Sequence, residues 1–247
     1  MPEGFALGDI LSIAVLLLAA YIHGAAGFGF PLVATPLLVL SMDLRSAILL
    51  TLLPTIAINL VSIVSEPRWR EALRRFWPIP LFTLVGSVLG TQVLLSVDPE
   101  PFRLLLALAL VAFLLLDRRR GGGPERRVPG IGLALLGLGM GLMAGLVNVF
   151  SPIVVAFALY TRMSPALMVA TFNLSFITSK TGQLMSFAAG DALDPSVIRL
   201  AVIALPLVLL ALWIGIRLRR RLDQDAYRVW LRRALWVLVA ALFVEAV

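Results

Sequence analysis

Apolar residues run along this chain in blocks punctuated by short charged segments. Blocks near 45–65, 76–96, 102–116, 165–189, 197–216 and 228–247 approach the roughly 20 residues that a helix needs to cross a ~30 Å hydrocarbon core. The third of them is on the short side. Two longer stretches, near 9–41 and 131–160, are each interrupted in the middle, between Gly24 and Pro31 and between Gly145 and Pro152. Gly in a helix interior costs about 1 kcal/mol and Pro about 3 relative to Ala, so each interruption predicts a broken helix. The second piece of each stretch is too short to span easily. Both stretches are therefore expected to be helical hairpins that enter the membrane and turn back, with two full tilted spans as the alternative.

Composition turns these blocks into a class. Sixty per cent of the 247 residues are hydrophobic and 14% are charged, against about 25% charged in ordinary soluble domains; mean hydropathy is +1.00. The chain is expected to be an all-α integral membrane protein. The run Ile10–Ala20 has Glu3 and Asp9 before it and no Lys or Arg, and apolar sequence continues beyond it. It is read as part of the mature protein and not as a signal peptide. Cys is absent, which leaves neither a disulfide framework nor a thiolate metal site. The net charge of +7 is confined to membrane-flanking loops, so it predicts anchoring at lipid and no nucleic-acid partner.

Arginine placement predicts orientation. Segments 66–75, 117–128 and 217–233 are Arg-rich, whereas linkers 97–101 and 190–196 carry only the acids Asp98, Glu100, Asp191 and Asp194. Positive-inside asymmetry makes the first three cytoplasmic and puts both termini outside, in a multi-pass inner-membrane protein. An offset of 121 residues relates Gly24 to Gly145, Pro31 to Pro152 and Met42 to Met163. The chain thus divides into a first transmembrane repeat at 1–117, a cytoplasmic linker at 118–129 and a second repeat at 130–247. Each repeat is a broken hairpin plus three helices, and the two are inverted in the membrane. Secondary transporters are built this way and bind substrate where broken helices meet near the midplane.

The breaks suggest the chemistry. In hydrocarbon, irregular backbone is tolerated only when buried in protein or lining a water-filled cavity. A helix restarting at Pro31 would offer the amides of Phe28, Gly29 and Phe30 to such a cavity, with Gly27 and Gly29 allowing close approach of a ligand. In the second break, Ser151 and Pro152 stand in N-cap and first-turn order. Helix amino-termini facing one cavity favour an anion. The single Lys, Lys180, lies inside an apolar span with Asn173 and Gln183 seven residues before and three after it, near one helical face. An ionisable group at that depth is a functional candidate. No Asp or Glu lies deep in any span, the nearest being Asp9, Asp43 and Glu245 at the edges. The candidate substrate-binding set is accordingly Gly27, Phe28, Gly29, Phe30, Asn148, Ser151, Asn173, Lys180 and Gln183. His23, the one side chain with an unperturbed pKa near neutrality, is the proton-coupling candidate. Asn59 and Gln92 are expected to hydrogen-bond between helices. No metal, cofactor or intramembrane catalytic constellation is expected. An anion channel using the same helix termini stays open as an alternative.

The stretches "GAAGFGFPLVATPLL" at 24–38, "GLMAGLVNVFSPIVVAFAL" at 141–159 and "TFNLSFITSKTGQL" at 171–184 resemble the TauE/SafE sulfite exporter family, also described as 4-toluene sulfonate uptake permeases. The likeness rests on the Gly-rich first break, on Pro36, Leu37 and Leu38, and on Asn173, Phe176, Lys180 and Gln183. It implies transport, usually outward, of sulfite, thiosulfate or an organosulfonate such as sulfoacetate. Uptake of another small anion remains the alternative, and monomer and homodimer are both open. The second break departs from the Gly-rich form at Asn148 and Ser151.

Overall fold

The computed structural model describes residues 6–65, 68–116 and 127–219, with Arg233, Trp236, Val239 and Ala240 beyond them. The expected last span, 228–247, and most of the linker at 118–129 therefore lie outside the described residues. The regular structure among them is all helical. In order the helices are α1 (Leu7–Ala26), α2 (Phe30–Val39), α3 (Leu44–Ser65), α4 (Trp69–Phe76), α5 (Pro78–Ser96), α6 (Glu100–Leu116), α7 (Gly130–Val147), α8 (Ser151–Thr161), α9 (Pro165–Ala189) and α10 (Pro195–Arg219). Five of them, α1, α3, α5, α7 and α10, are long and apolar enough to cross a membrane. α2 and α8 have 10 and 11 residues. At a rise of about 1.5 Å per residue they reach roughly half of the ~30 Å core.

α5 is apolar outward and small or polar inward. On α5, Leu81, Val85, Leu89 and Val93 are exposed, at a spacing of four. Its opposite face buries Thr83, Gly86, Ser87, Gly90 and Thr91. Lipid tails are as apolar as Leu, so association between such helices comes from close packing of small residues. The broadest pairings are α5 with α7 and α1 with α10, followed by α5 with α9 and by α3 with both α9 and α10. Gly141 of α7 shows how close these pairings are. A Cβ built there would stand 2.3 Å from the Thr83 carbonyl oxygen and 2.7 Å from the Gly86 Cα. Gly24 of α1 lies in the same way against Leu212 and Gly215 of α10. It belongs to the helix interior and not to the break, which begins three residues later.

Both interruptions are three residues long. α1 closes on Gly27, in the left-handed region at φ 88°, whose N–H donates to the His23 carbonyl, and α2 resumes at Phe30. α7 closes on Asn148, also left-handed at φ 62°, whose N–H donates to the Ala144 carbonyl, and α8 resumes at Ser151. Asn is the residue that best replaces Gly in such a cap, which is why the second break dispenses with glycine. Helix end, helix restart and proline are each offset by 121 residues between the two breaks.

Three expectations need correction. The Arg-rich segment 66–75 holds a helix, α4, which turns Ala72 and Phe76 inward while Arg70 and Arg74 face out and Arg75 lies half-buried over the Phe76 ring. Phe76 meets Phe157 of α8 edge to face. Arg68 grips Glu71 at 2.7 Å, holding that carboxyl below its usual range, and also donates to Ser164 Oγ at the start of α9. Ser151 is the first residue of α8 and not its cap. The Phe150 carbonyl accepts from Ile153 and Val154, and the Ser151 side chain makes no capping bond. Neither expected interhelical amide bridges helices, because Asn59 donates to the Thr55 carbonyl of its own helix and Gln92 is exposed.

Candidate functional site

α9 is 25 residues long and carries Lys180 near its middle, fully buried. Its Nζ donates to Oδ1 of Asn148, at the tip of the second hairpin, and to Oε1 of Gln183 at 2.6 Å, one turn further along α9. Both amides are themselves oriented. Asn148 Nδ2 donates to Thr35 Oγ1 of α2 at 2.7 Å and to Thr51 Oγ1 of α3 at 2.9 Å. Gln183 Nε2 donates to the Ala144 carbonyl at 2.5 Å, on the last turn of α7. Because each amide nitrogen has an acceptor, each amide oxygen must face the lysine. The network thus ties α9 to both hairpins and to α3.

At the first tip the amide of Phe30 is not free, contrary to expectation. It donates to His23 Nδ1 at 3.3 Å, and His23 Nε2 lies 3.1 Å from Ser62 Oγ of α3. With Nδ1 accepting, the ring proton belongs on Nε2 and is donated to the serine. His23 therefore braces the restart of α2 against α3. Gly29 stands beside it in the left-handed region at φ 106°. It is buried, yet a Cβ built there would meet no atom within 4 Å. Open space lies inside the protein next to the break.

Between the tips sits an aromatic stack. Phe28 of the first break lies on Phe172 of α9 at 5.0 Å, and Phe150 of the second break contacts Phe172 and Phe176 at 6.0 and 4.2 Å. Asn173 follows Phe172 directly and is fully buried, with both amide atoms lacking a partner. Ser151 Oγ is likewise buried and unpartnered. Buried polar atoms are paired in the great majority of cases, so unpartnered groups beside a broken helix and its aromatic stack point to a ligand or to water.

Of the residues singled out in the sequence, Asn148, Lys180 and Gln183 form one bonded network. Gly27, Phe28, Gly29, Phe30 and His23 form the first tip, and Ser151 and Asn173 supply unpaired polar groups. The two tips are joined through Thr35 and through the phenylalanine stack. The sequence did not single out Thr35, Thr51, Phe150 or Phe172. Among the described residues no group of His, Asp or Glu is placed to hold a metal ion. Comparison with known families finds one match, to the model described as Sulfite exporter TauE/SafE, over residues 12–245. No curated protein and no solved structure matches the chain.

Proposed function

The chain belongs to the sulfite exporter TauE/SafE family, and from that premise we propose that it carries small sulfur oxyanions or organosulfonates at a site between its two broken hairpins. The family is one of membrane transporters, and the apolar helices fit a multi-pass membrane protein. The observation that carries the site is Lys180: a basic side chain at full burial, held at the tip of a broken helix, with only neutral amides as partners. An anion entering there would receive the charged N–H groups of Lys180, which Asn148 and Gln183 hold in place, with the unpartnered Ser151 hydroxyl and Asn173 amide to donate to its remaining oxygens. Hydrogen bonds to a charged group contribute roughly 1.5–3 kcal/mol each. The open space beside Gly29 gives room at the other tip, and Gly27, Phe28 and Phe30 shape it.

Flux of labelled sulfite and thiosulfate in proteoliposomes tests this reading. Saturable uptake, accelerated by anion on the far side, is expected of a carrier. Flux that rises linearly with concentration and shows no counter-transport would favour the channel alternative. Absence of flux for both anions would overturn the reading.

The two halves act here as inverted repeats, 1–117 and 130–247. Support comes from the shared offset at the two breaks and from the pairing of α1 with α10, which is answered by that of α7 with α5. External termini follow from the arginine asymmetry. The natural chain has no Cys, so single cysteines introduced at Ser96 and Gly121 report sidedness without background. An impermeant thiol reagent applied to intact cells is expected to label position 96 and spare 121. The reverse result would invert the topology.

A further inference from the structure

We propose that the chain moves a proton with each anion and that Lys180 Nζ is the atom that carries it. This rests on the reading of Lys180 as the anion-binding cation. It goes further in assigning the empty site a neutral amine.

The partners of Nζ lead to this assignment. It donates to two acceptors, Asn148 Oδ1 and Gln183 Oε1, and a neutral amine has two N–H groups to give. An ammonium has a third N–H and a full charge, and neither finds a partner among the described residues. Among the described residues, the helices packed most broadly on α9 are α3, α4, α5, α7 and α8. Among their described residues the titratable or charged groups are Arg45 on α3, Arg70, Glu71, Arg74 and Arg75 on α4, and Tyr160 on α8. None of them faces Lys180: Arg45 binds the carbonyls of Leu94, Leu95 and Val97, Glu71 is held by Arg68, and Tyr160 is exposed. α5 and α7 contribute no such group. An ammonium buried without a counter-ion bears an uncompensated desolvation cost, and loss of its proton removes that cost.

An arriving anion supplies the missing counter-charge. The lone pair on Nζ then takes a proton from a hydronium ion of the solvent: one N–H bond forms, one O–H bond breaks and a water molecule is left, and the new ammonium pairs with the anion. Release reverses both events, so the proton leaves as the anion leaves. No bond within the anion forms or breaks. Transport of a monovalent anion is then electroneutral and follows the pH gradient together with the anion gradient. His23 is unsuited to this task, because its Nδ1 lone pair already accepts the Phe30 amide. A proton there would undo the tip.

The test uses purified full-length protein in weak buffer with methanesulfonate, an anion whose own acidity lies far below the working pH. Bound anion and proton uptake are read separately, by labelled ligand and by an indicator dye. One proton per bound anion is expected in the wild type. Lys180→Arg, whose guanidinium stays charged at any accessible pH, is expected to bind anion without proton uptake. Lys180→Met likewise takes up no proton with whatever anion it binds. Anion binding without proton uptake in the wild type overturns the proposal. So does an unchanged ratio in either Lys180 variant. Failure of the wild type to bind any of methanesulfonate, sulfite or thiosulfate overturns the anion-site reading itself, and shows in the first signal alone.

Discussion

Lys180→Met protein is expected to bind sulfite about ten- to a hundredfold more weakly than the wild type, because losing one charge-assisted hydrogen bond forfeits roughly 1.5–3 kcal/mol. Methionine keeps most of the stem volume, so packing within α9 changes little. What disappears is the nitrogen that joins Asn148 Oδ1 to Gln183 Oε1. Lys180→Arg is expected to restore only part of the affinity, since a planar fork does not fit where a compact donor reached two amide oxygens. A purely structural lysine predicts the opposite pair of results. Its removal would leave two buried amide oxygens without a donor and lower the melting temperature, while affinity stayed unchanged. Sulfite binding and thermal melting measured side by side on the two variants separate these outcomes. Wild-type affinity in Lys180→Met would remove the residue from the site.

Much of this arrangement was legible in the residues, and the reasons differ from part to part. Lys180 stood out because an ionisable group inside an apolar span is costly enough to need a function. The breaks stood out because Gly and Pro oppose a helix whatever surrounds them. Their limits did not, since Gly24 and Gly145 look like breakers in sequence while serving as contact points inside α1 and α7. Thr35 and Thr51 gave no signal, because an isolated Thr in an apolar helix commonly satisfies itself on its own backbone. Thr51 does so too, donating to the Ile48 carbonyl and leaving its lone pairs for Asn148. The phenylalanine stack was hidden for a related reason, as phenylalanines in an apolar span carry no periodic mark of what they touch. His23 was visible as a titratable group, but its bond to the Phe30 amide depends on how the chain turns at Gly27 and Gly29. α4 reads as a loop in sequence because its short length and charge hide two inward residues, Ala72 and Phe76.

Gly141→Val is expected to lose most of its folded population, whereas Gly139→Val, two residues away on α7, stays folded. The two changes share intrinsic helix propensity and added volume, so their difference isolates the crossing of α5 and α7. At Gly139 a Cβ meets nothing within 4 Å. At Gly141 it meets the Thr83 carbonyl oxygen at 2.3 Å, the Ser87 nitrogen at 2.6 Å and the Gly86 Cα at 2.7 Å, all backbone atoms. A side chain can rotate away from an intruding methyl group, but a helix backbone must move as a body. Such movement parts the broadest pairing in the fold, and with it the last turn of α7 that carries the Ala144 carbonyl and the Asn148 tip. Overpacking a tight site usually costs about 1–3 kcal/mol; backbone overlap on this scale places the change at or above the top of that range. Total stabilities of about 5–15 kcal/mol leave little reserve against it. Monodisperse yield in detergent and the melting temperature of the two variants, purified in parallel, check the expectation. Equal melting temperatures would mean that α5 and α7 are not held by the close approach at Gly141.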